Sequence, residues 1–250
     1  MLTPERHRII LDLLANKEVV KLQEFVDATE SSESTIRRDL SQLESEKKLK
    51  RVHGGASLLQ QKGEELSVLE KSTKNVEEKE LIARYAASLI RDNDCIYLDA
   101  GTTAFLMIPH IQANKVKVVT NGLTHLESLL EHDIETYITG GLIKPKTRAL
   151  IGRGAIEGIE QYRFDKCFIG VNGIHNEFGY TTPDPEEATV KKRVMNLSQQ
   201  CFILADHSKF NEITFSKIAD LQHATILTNE NEEDILKDYL TKTTIKVVTT

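Results

Sequence analysis

From residue 76 onward the sequence alternates short apolar runs with amphipathic stretches, and no other feature narrows the possible folds as much. The runs occupy residues 95–98, 116–119, 134–138, 167–171, 201–205, 224–227 and 244–248. A helix over 76–90, apolar at Leu81, Ile82, Tyr85, Ala86 and Leu89, precedes the first run. Further helical spacing falls near 123–132, 149–161, 185–197 and 231–240. Strands that are nearly continuous in apolar residues must be buried on both faces, and strands separated by helices are joined by crossovers. The expected class is therefore α/β, a mostly parallel sheet covered on both sides.

The first sixty residues follow a different pattern. Thr3 reads as a helix N-cap with Pro4 at the first helical position, followed by apolar Ile9, Ile10, Leu13 and Leu14. Leu22, Phe25 and Val26 mark a second short helix, and 29–32 a polar turn. A third helix starts near Glu33, capped by Ser32, and buries Ile36, Leu40 and Leu43 while presenting Ser34, Thr35, Arg37, Arg38 and Ser41. Residues 49–55 then read as a strand pair closed by Gly54 and Gly55. Three short helices and a β wing predict a winged helix-turn-helix, whose third helix would enter the major groove of double-stranded DNA. Ser34, Thr35, Arg37 and Arg38 would meet base edges or phosphates, and Lys50, Arg51 and His53 phosphates or the minor groove. The alternative is a small helical dimerisation domain with solvated charges.

A formal net charge of -6 over 250 residues argues against nucleic acid until it is located. Residues 1–60 carry ten basic and ten acidic side chains, so the deficit lies wholly in the remainder. Within 34–55 six basic residues face three acidic ones, a local excess on the segment that would approach DNA. No run of 18 apolar residues is present, so no membrane span is expected. The N-terminus lacks a signal-peptide pattern, and Cys95, Cys167 and Cys201 are too scattered for a disulfide framework. A cytoplasmic protein without a metal or cofactor is the expectation. No Walker A loop occurs, and 152–158 only approximates a dinucleotide-binding glycine pattern.

In parallel sheets ligands bind beyond the carboxyl ends of the strands. Asp99, Gly101, Thr102 and Thr103 follow the first run, with Gly101 read as a tight turn and the hydroxyls as phosphate ligands. Thr120, Asn121 and Gly122 follow the second, and Asp206, Ser208 and Lys209 follow the fifth. Gly140, Gly141, Lys144 and Arg148 form a glycine-cation stretch, and Asn172 lies in a second glycine-rich segment. Asp184, Pro185 and Glu187 read as a box-like helix cap, which leaves Glu186, Lys191 and Lys192 as lip residues, the two lysines being equally consistent with a solvated face. Hydroxyls, amides, cations and carboxylates together favour a small phosphorylated sugar or polyol. Acid–base chemistry by Asp99, Glu186, Asp206 and Lys209, as in a sugar-phosphate isomerase, is the rival reading.

Thr35-Ile36-Arg37-Arg38-Asp39-Leu40 and Arg51-Val52-His53-Gly54-Gly55-Ala56 resemble the N-terminal signature of the DeoR family of bacterial transcriptional regulators. The remainder is similar to that family's sensor domain, whose fold is like that of ribose-5-phosphate isomerases. The resemblance implies a homodimeric or homotetrameric repressor of a sugar-utilisation operon, released from operator DNA by a phosphorylated sugar. It also assigns the strand-end residues named above to the effector. Residues 144–150, 170–175 and 180–188 look most like repressors of fructose operons, which implies fructose 1-phosphate as effector; lactose or tagatose 6-phosphate repressors share much of this framework. Many members carry Asp where this chain has Asn172, a change that would ease the approach of a phosphate. The implied organisation is a DNA-binding domain at 1–57, a linker at 58–75 and a sensor at 76–250.

Overall fold

The computed structural model describes residues 2–17, 19–46, 48–52, 54–58 and 66–249, and the chain forms two compact units, Met1–Glu64 and Glu65–Thr250. The first contains α1 (Thr3–Asn16), β1 (Val19–Lys21), α2 (Leu22–Thr29), α3 (Glu33–Ser45), β2 (Leu49–Val52) and β3 (Gly55–Leu58). The three strands form an antiparallel sheet in the order β1-β3-β2. Ile10, Leu14, Phe25, Ile36, Leu40, Leu43, Leu49 and Ala56 make one core, the helical stripes closing on the wing. Ser32 caps α3 by accepting from the Thr35 amide, as its sequence position predicts. The cap of α1 is Leu2 instead, with no side-chain bond, and Thr3 is already helical. Three residues are too few for periodicity to reveal β1; its pairing with the wing strand β3 creates it.

The second unit begins earlier than the sequence suggests. Residues 66–75, read as linker, belong to it, with α4 at Val68–Ser72 closed by a Ser67–Glu70 capping box. There follow α5 (Val76–Ser88), β4 (Cys95–Leu98), α6 (Thr102–Met107), β5 (Lys117–Thr120), α7 (Leu126–Glu131), β6 (Glu135–Ile138), β7 (Leu142–Ile143), β8 (Leu150–Ile151) and α8 (Arg153–Ile159). The chain continues through β9 (Phe164–Gly170), β10 (Gly173–His175), β11 (Gly179–Thr182), α9 (Pro185–Asn196), β12 (Ser198–Leu204), β13 (Ser216–Ala219), β14 (Thr225–Thr228), α10 (Glu233–Leu240) and β15 (Ile245–Val247).

All seven apolar runs become one parallel sheet, ordered β15-β14-β12-β9-β4-β5-β6. Side chains alternate between two cores. Ile96, Leu98, Val118 and Phe168 join Ile82, Ala83 and Ala86 of α5, and Tyr97, Cys167 and Ile169 join Ala155, Val190 and Val194 of α8 and α9. The helix expected over 149–161 starts only at Arg153, because Leu150 and Ile151 pair with β7. A second, antiparallel sheet of β10, β11 and β13 was not foreseen, its strands being short and rich in Gly and Thr. Tyr180 anchors it, buried, with its hydroxyl donating to the Leu221 carbonyl at 2.9 Å. Among the described residues no helix is long and apolar enough to cross a membrane.

This strand order has a functional consequence. From β4 the chain runs outward to β5 and β6, returns to lay β9 on the other side of β4, and then runs outward the opposite way. Crossovers diverge at the β4–β9 junction, and divergence opens a crevice beyond the strand ends.

Candidate functional site

In the first unit the exposed face of α3 carries Ser34, Arg37, Arg38 and Ser41, with Thr35 half-buried beside them. Arg37 pairs with Glu33 one turn earlier at 2.6 Å, a solvated i,i+4 pair that a phosphate or base could displace cheaply. Arg38 is exposed. Arg51 of the wing donates to Ser41 Oγ at 2.7 Å, while its amide donates to Glu44, so strand and helix are tied along one edge. His53 and the side chain of Lys50 lie outside the described residues. Asp39, third in the Arg-Arg-Asp triplet, points inward instead. It is buried against the Arg6 guanidinium, accepts from Arg6 Nη2 at 3.0 Å, and lies 3.3 Å from His7 Nε2. Arg6 and His7 hold its carboxyl below the usual range against the opposing effect of burial. The triplet thus divides into two outward cations and one inward strut.

In the second unit an open cleft lies at the β4–β9 junction. Its wall includes Asp99, Gly101, Thr102, Thr103, Asn121, Asn172, Lys191, Asp206 and Lys209, contributed by the ends of β4, β5, β9 and β12 and by α9. Lys191 Nζ lies 2.5 Å from Asp99 Oδ2, both side chains being almost fully buried, and the same oxygen accepts from the Gly170 amide at 3.0 Å. Asn121 holds the turn above it, accepting from the Ala100 amide and donating to the Leu150 carbonyl, both at 3.1 Å. Asp206 accepts from the Ser208 amide at 3.0 Å and from Asn75 Nδ2 at 2.9 Å; burial opposes its ionisation, but Lys209, Ser208 and Asn75 keep its pKa lowered. The ionic lining is four lysines (Lys71, Lys79, Lys191 and Lys209) and three carboxylates (Asp99, Glu187 and Asp206). A net cation excess with adjacent hydroxyls and amides suits an anionic, polyhydroxylated ligand.

Eight residues expected at the effector site do not line the cleft. Thr120 is buried as framework: its hydroxyl donates to the Leu98 carbonyl at 2.7 Å, accepts from the Gly122 amide, and sits 3.2 Å from His125 Nδ1. Burial pushes His125 down to about 4, so it is neutral. Gly122 packs against this imidazole. Gly140 and Gly141 pack against α8. Gly141 has φ +116°, and a Cβ there would lie 2.4 Å from the Ile151 carbonyl oxygen and 2.9 Å from the Ala155 amide. Gly154 of α8 meets the same backbone, which accounts for the near-miss glycine pattern at 152–158. Lys144 bonds Asp184 at 2.7 Å and Glu187 at 3.1 Å, bracing the start of α9. Arg148 and Glu186 are exposed, and Ser208 turns its hydroxyl to Asp206 at 2.5 Å. Gly101 does line the cleft but has φ -82°, a conformation open to any residue, so no tight turn requires it.

Several lining residues escaped the sequence reading, among them Lys71, Lys79, Thr147 and Glu187. Asp184 does cap α9, but Glu187 completes no box; its carboxylate accepts from Thr147 Oγ1 at 2.7 Å and from Lys144. Burial raises the pKa of Glu187, but Lys191, Lys144 and Thr147 outweigh it and leave it lowered. The missed signal was periodic. Lys79 lies on the stripe with Ile82, Ala83 and Ala86, and Glu187 and Lys191 lie on the stripe with Ala188, Val190 and Val194. A charged residue on the buried face of a helix must find partners, and here they are one another and the cleft. Burial, with Lys209 and Lys71 nearby, pushes Lys79 down to about 8 despite the opposing pull of Asp206.

The DeoR-like helix-turn-helix domain matches residues 6–62, and the DeoR C terminal sensor domain matches residues 74–231. The HTH-type transcriptional regulator FruR of Bacillus subtilis (strain 168), described as uncharacterized, is 49% identical over 99% of both chains. The lactose phosphotransferase system repressor of Staphylococcus aureus (strain MRSA252) is 32% identical over 94% of this chain and 97% of its own. Among solved structures, ribose 5-phosphate isomerase A from Methanocaldococcus jannaschii is similar with a TM-score of 0.41 and 18% identity, covering 54% of this chain and 55% of that one. The chain belongs to the DeoR family and is a transcriptional regulator rather than an enzyme.

Proposed function

We propose that the protein represses a fructose-utilisation operon and leaves its operator when fructose 1-phosphate occupies the cleft. The observation that carries this reading is the cleft itself: four lysines, three carboxylates, Thr102, Thr103, Asn121 and Asn172 gathered where the strand order reverses. Lys79 and Lys209, with Thr102 and Thr103, suit the phosphate; Asp99, Asn121, Asn172 and Glu187 suit sugar hydroxyls. Asn172 accepts from Thr182 Oγ1 at 3.1 Å and adds no negative charge to the wall. The likeness to FruR favours fructose over lactose or tagatose pathways, since the lactose repressor is the more distant relative. On the DNA side, Ser34, Thr35, Arg37 and Arg38 read the major groove while Lys50, Arg51 and His53 hold phosphates.

A gel-shift titration with the native upstream region tests both halves. Operator binding that weakens with fructose 1-phosphate, and not with fructose or tagatose 6-phosphate, is the expected result. Operator affinity that ignores every sugar phosphate rejects the effector, and transcript levels in a deletion strain check the sign of regulation.

A further inference from the structure

The segment 66–75 stands next in chain order to the DNA-reading unit, yet it forms part of the cleft wall: Val68 and Lys71 line the cavity. Hydrogen bonds fasten the segment to the rest of the sensor, three of them at or beside the cleft. The Val68 amide donates to the Lys146 carbonyl at 2.9 Å, Lys79 Nζ donates to the Lys71 carbonyl at 2.5 Å, and Asn75 Nδ2 donates to Asp206 Oδ1 at 2.9 Å. Lys79 and Asp206 are cleft residues, and Lys146 adjoins a third, Thr147. No residue of α4 is buried, and Leu69 is two-thirds exposed, so hydrophobic attachment is slight. An element held by polar links to a binding site, without a core of its own, lies at the low-stability end of a fold.

We propose that α4 is the effector-responsive strap of this sensor, and that Lys71 is the positioning residue through which an anion in the cleft fixes it. The inference rests on the effector reading above. Lys71 and Lys79 approach the cavity from the strap and from the helix beneath it, so one phosphate can engage both ammonium groups while Lys79 keeps its bond to the Lys71 carbonyl. A ligand that binds one arrangement of the strap more tightly shifts the population toward it, and that differential contact is what effector control of the neighbouring unit requires.

The test is hydrogen exchange on the full chain with and without saturating fructose 1-phosphate, for wild type and Lys71→Met. The expected result is that amides of 66–74 exchange at least about threefold more slowly with ligand, together with the cleft peptides around 99–103 and 206–209. In Lys71→Met, with fructose 1-phosphate raised until the cleft peptides are protected as in wild type, the strap gains no protection and operator affinity falls less than about threefold, against about tenfold or more in wild type. Cleft protection without strap protection, or full operator release by Lys71→Met at saturating ligand, overturns the strap and leaves the effector reading intact. No protection anywhere, with inorganic phosphate or fructose 1-phosphate, overturns the effector reading and the strap with it.

Discussion

Replacing Asp39 with Asn separates a structural role from a DNA-contacting one. The Asp39 carboxylate is 5% exposed and the Arg6 side chain 10%, and the two join α3 to α1 through two guanidinium nitrogens. Asp39→Asn keeps the shape but strands a guanidinium without its counter-charge. Removing one partner of a buried pair costs about 3–5 kcal/mol; in a unit this small water can reach the guanidinium, and about 2–3 kcal/mol is the expected loss. Hydrogen exchange on the intact chain reads it directly: core amides of α1 and α3 should exchange about 30- to 150-fold faster, while those of the central sheet do not change. The double variant Arg6→Met/Asp39→Leu should regain most of the loss, because neither charge then remains buried. Asp39 has a depressed pKa in the folded state, so its stabilisation is fully present above the unfolded value of about 3.9 and disappears as pH falls through the folded one. The gap between wild type and variant should therefore close in acid. Exchange in α1 and α3 within threefold of wild type, together with weakened operator binding, would refute the strut and make Asp39 a DNA contact.

Arg37→Ala should weaken operator binding by about 1–3 kcal/mol at fixed salt while leaving the unfolding of the sensor unchanged, and equal affinities would reject a base contact. Arg51→Ala should instead lower the salt slope by about one, uniformly across sequences. Gly141→Ala forces a side chain into a left-handed conformation 2.4 Å from a carbonyl oxygen, so sensor stability should drop by about 3 kcal/mol or more in urea titrations, with α8 displaced. Lys79 titrates near 8 in the free protein, and a bound phosphate would raise that value; the charge is therefore present below about 8 and lost above it. Calorimetry should show fructose 1-phosphate binding weakening by up to about tenfold between pH 7 and 9, with the slope flattened in Lys79→Met. An equal slope in the variant would assign the proton to another group.

Periodicity was sufficient for the elements whose burial is two-sided or one-sided over many residues. The apolar runs of β4, β5, β9 and β14 had to become buried strands, whereas the edge strands β6 and β15 stay largely exposed, and the Ser32 cap with Ile36, Leu40 and Leu43 had to set α3 with its arginines outward. These are local consequences of side-chain spacing. Strand order was beyond local spacing, and with it the location of the cleft, because which strand neighbours β4 depends on crossovers spanning tens of residues. Polar residues divided along the same line. Asp99, Asn121 and Asp206 sit at strand ends and were legible as a group, yet Gly141, Lys144 and Arg148 looked equally suited to a ligand. Only the packing of α8 against Gly141, and the pairing of Lys144 with Asp184 and Glu187, ties those two to the scaffold, and Arg148 is exposed outside the cleft wall. Lys79, which no local pattern singled out, and Lys191, read as a lip residue or a solvated face, both line the cleft. The sequence by itself determined two units, the class of each and the outward face of the DNA-reading helix, because each follows from the period of burial along one segment. The tertiary structure alone decided which charges meet, because a lysine and an aspartate ninety-two residues apart acquire a common environment only when two strands and a helix converge.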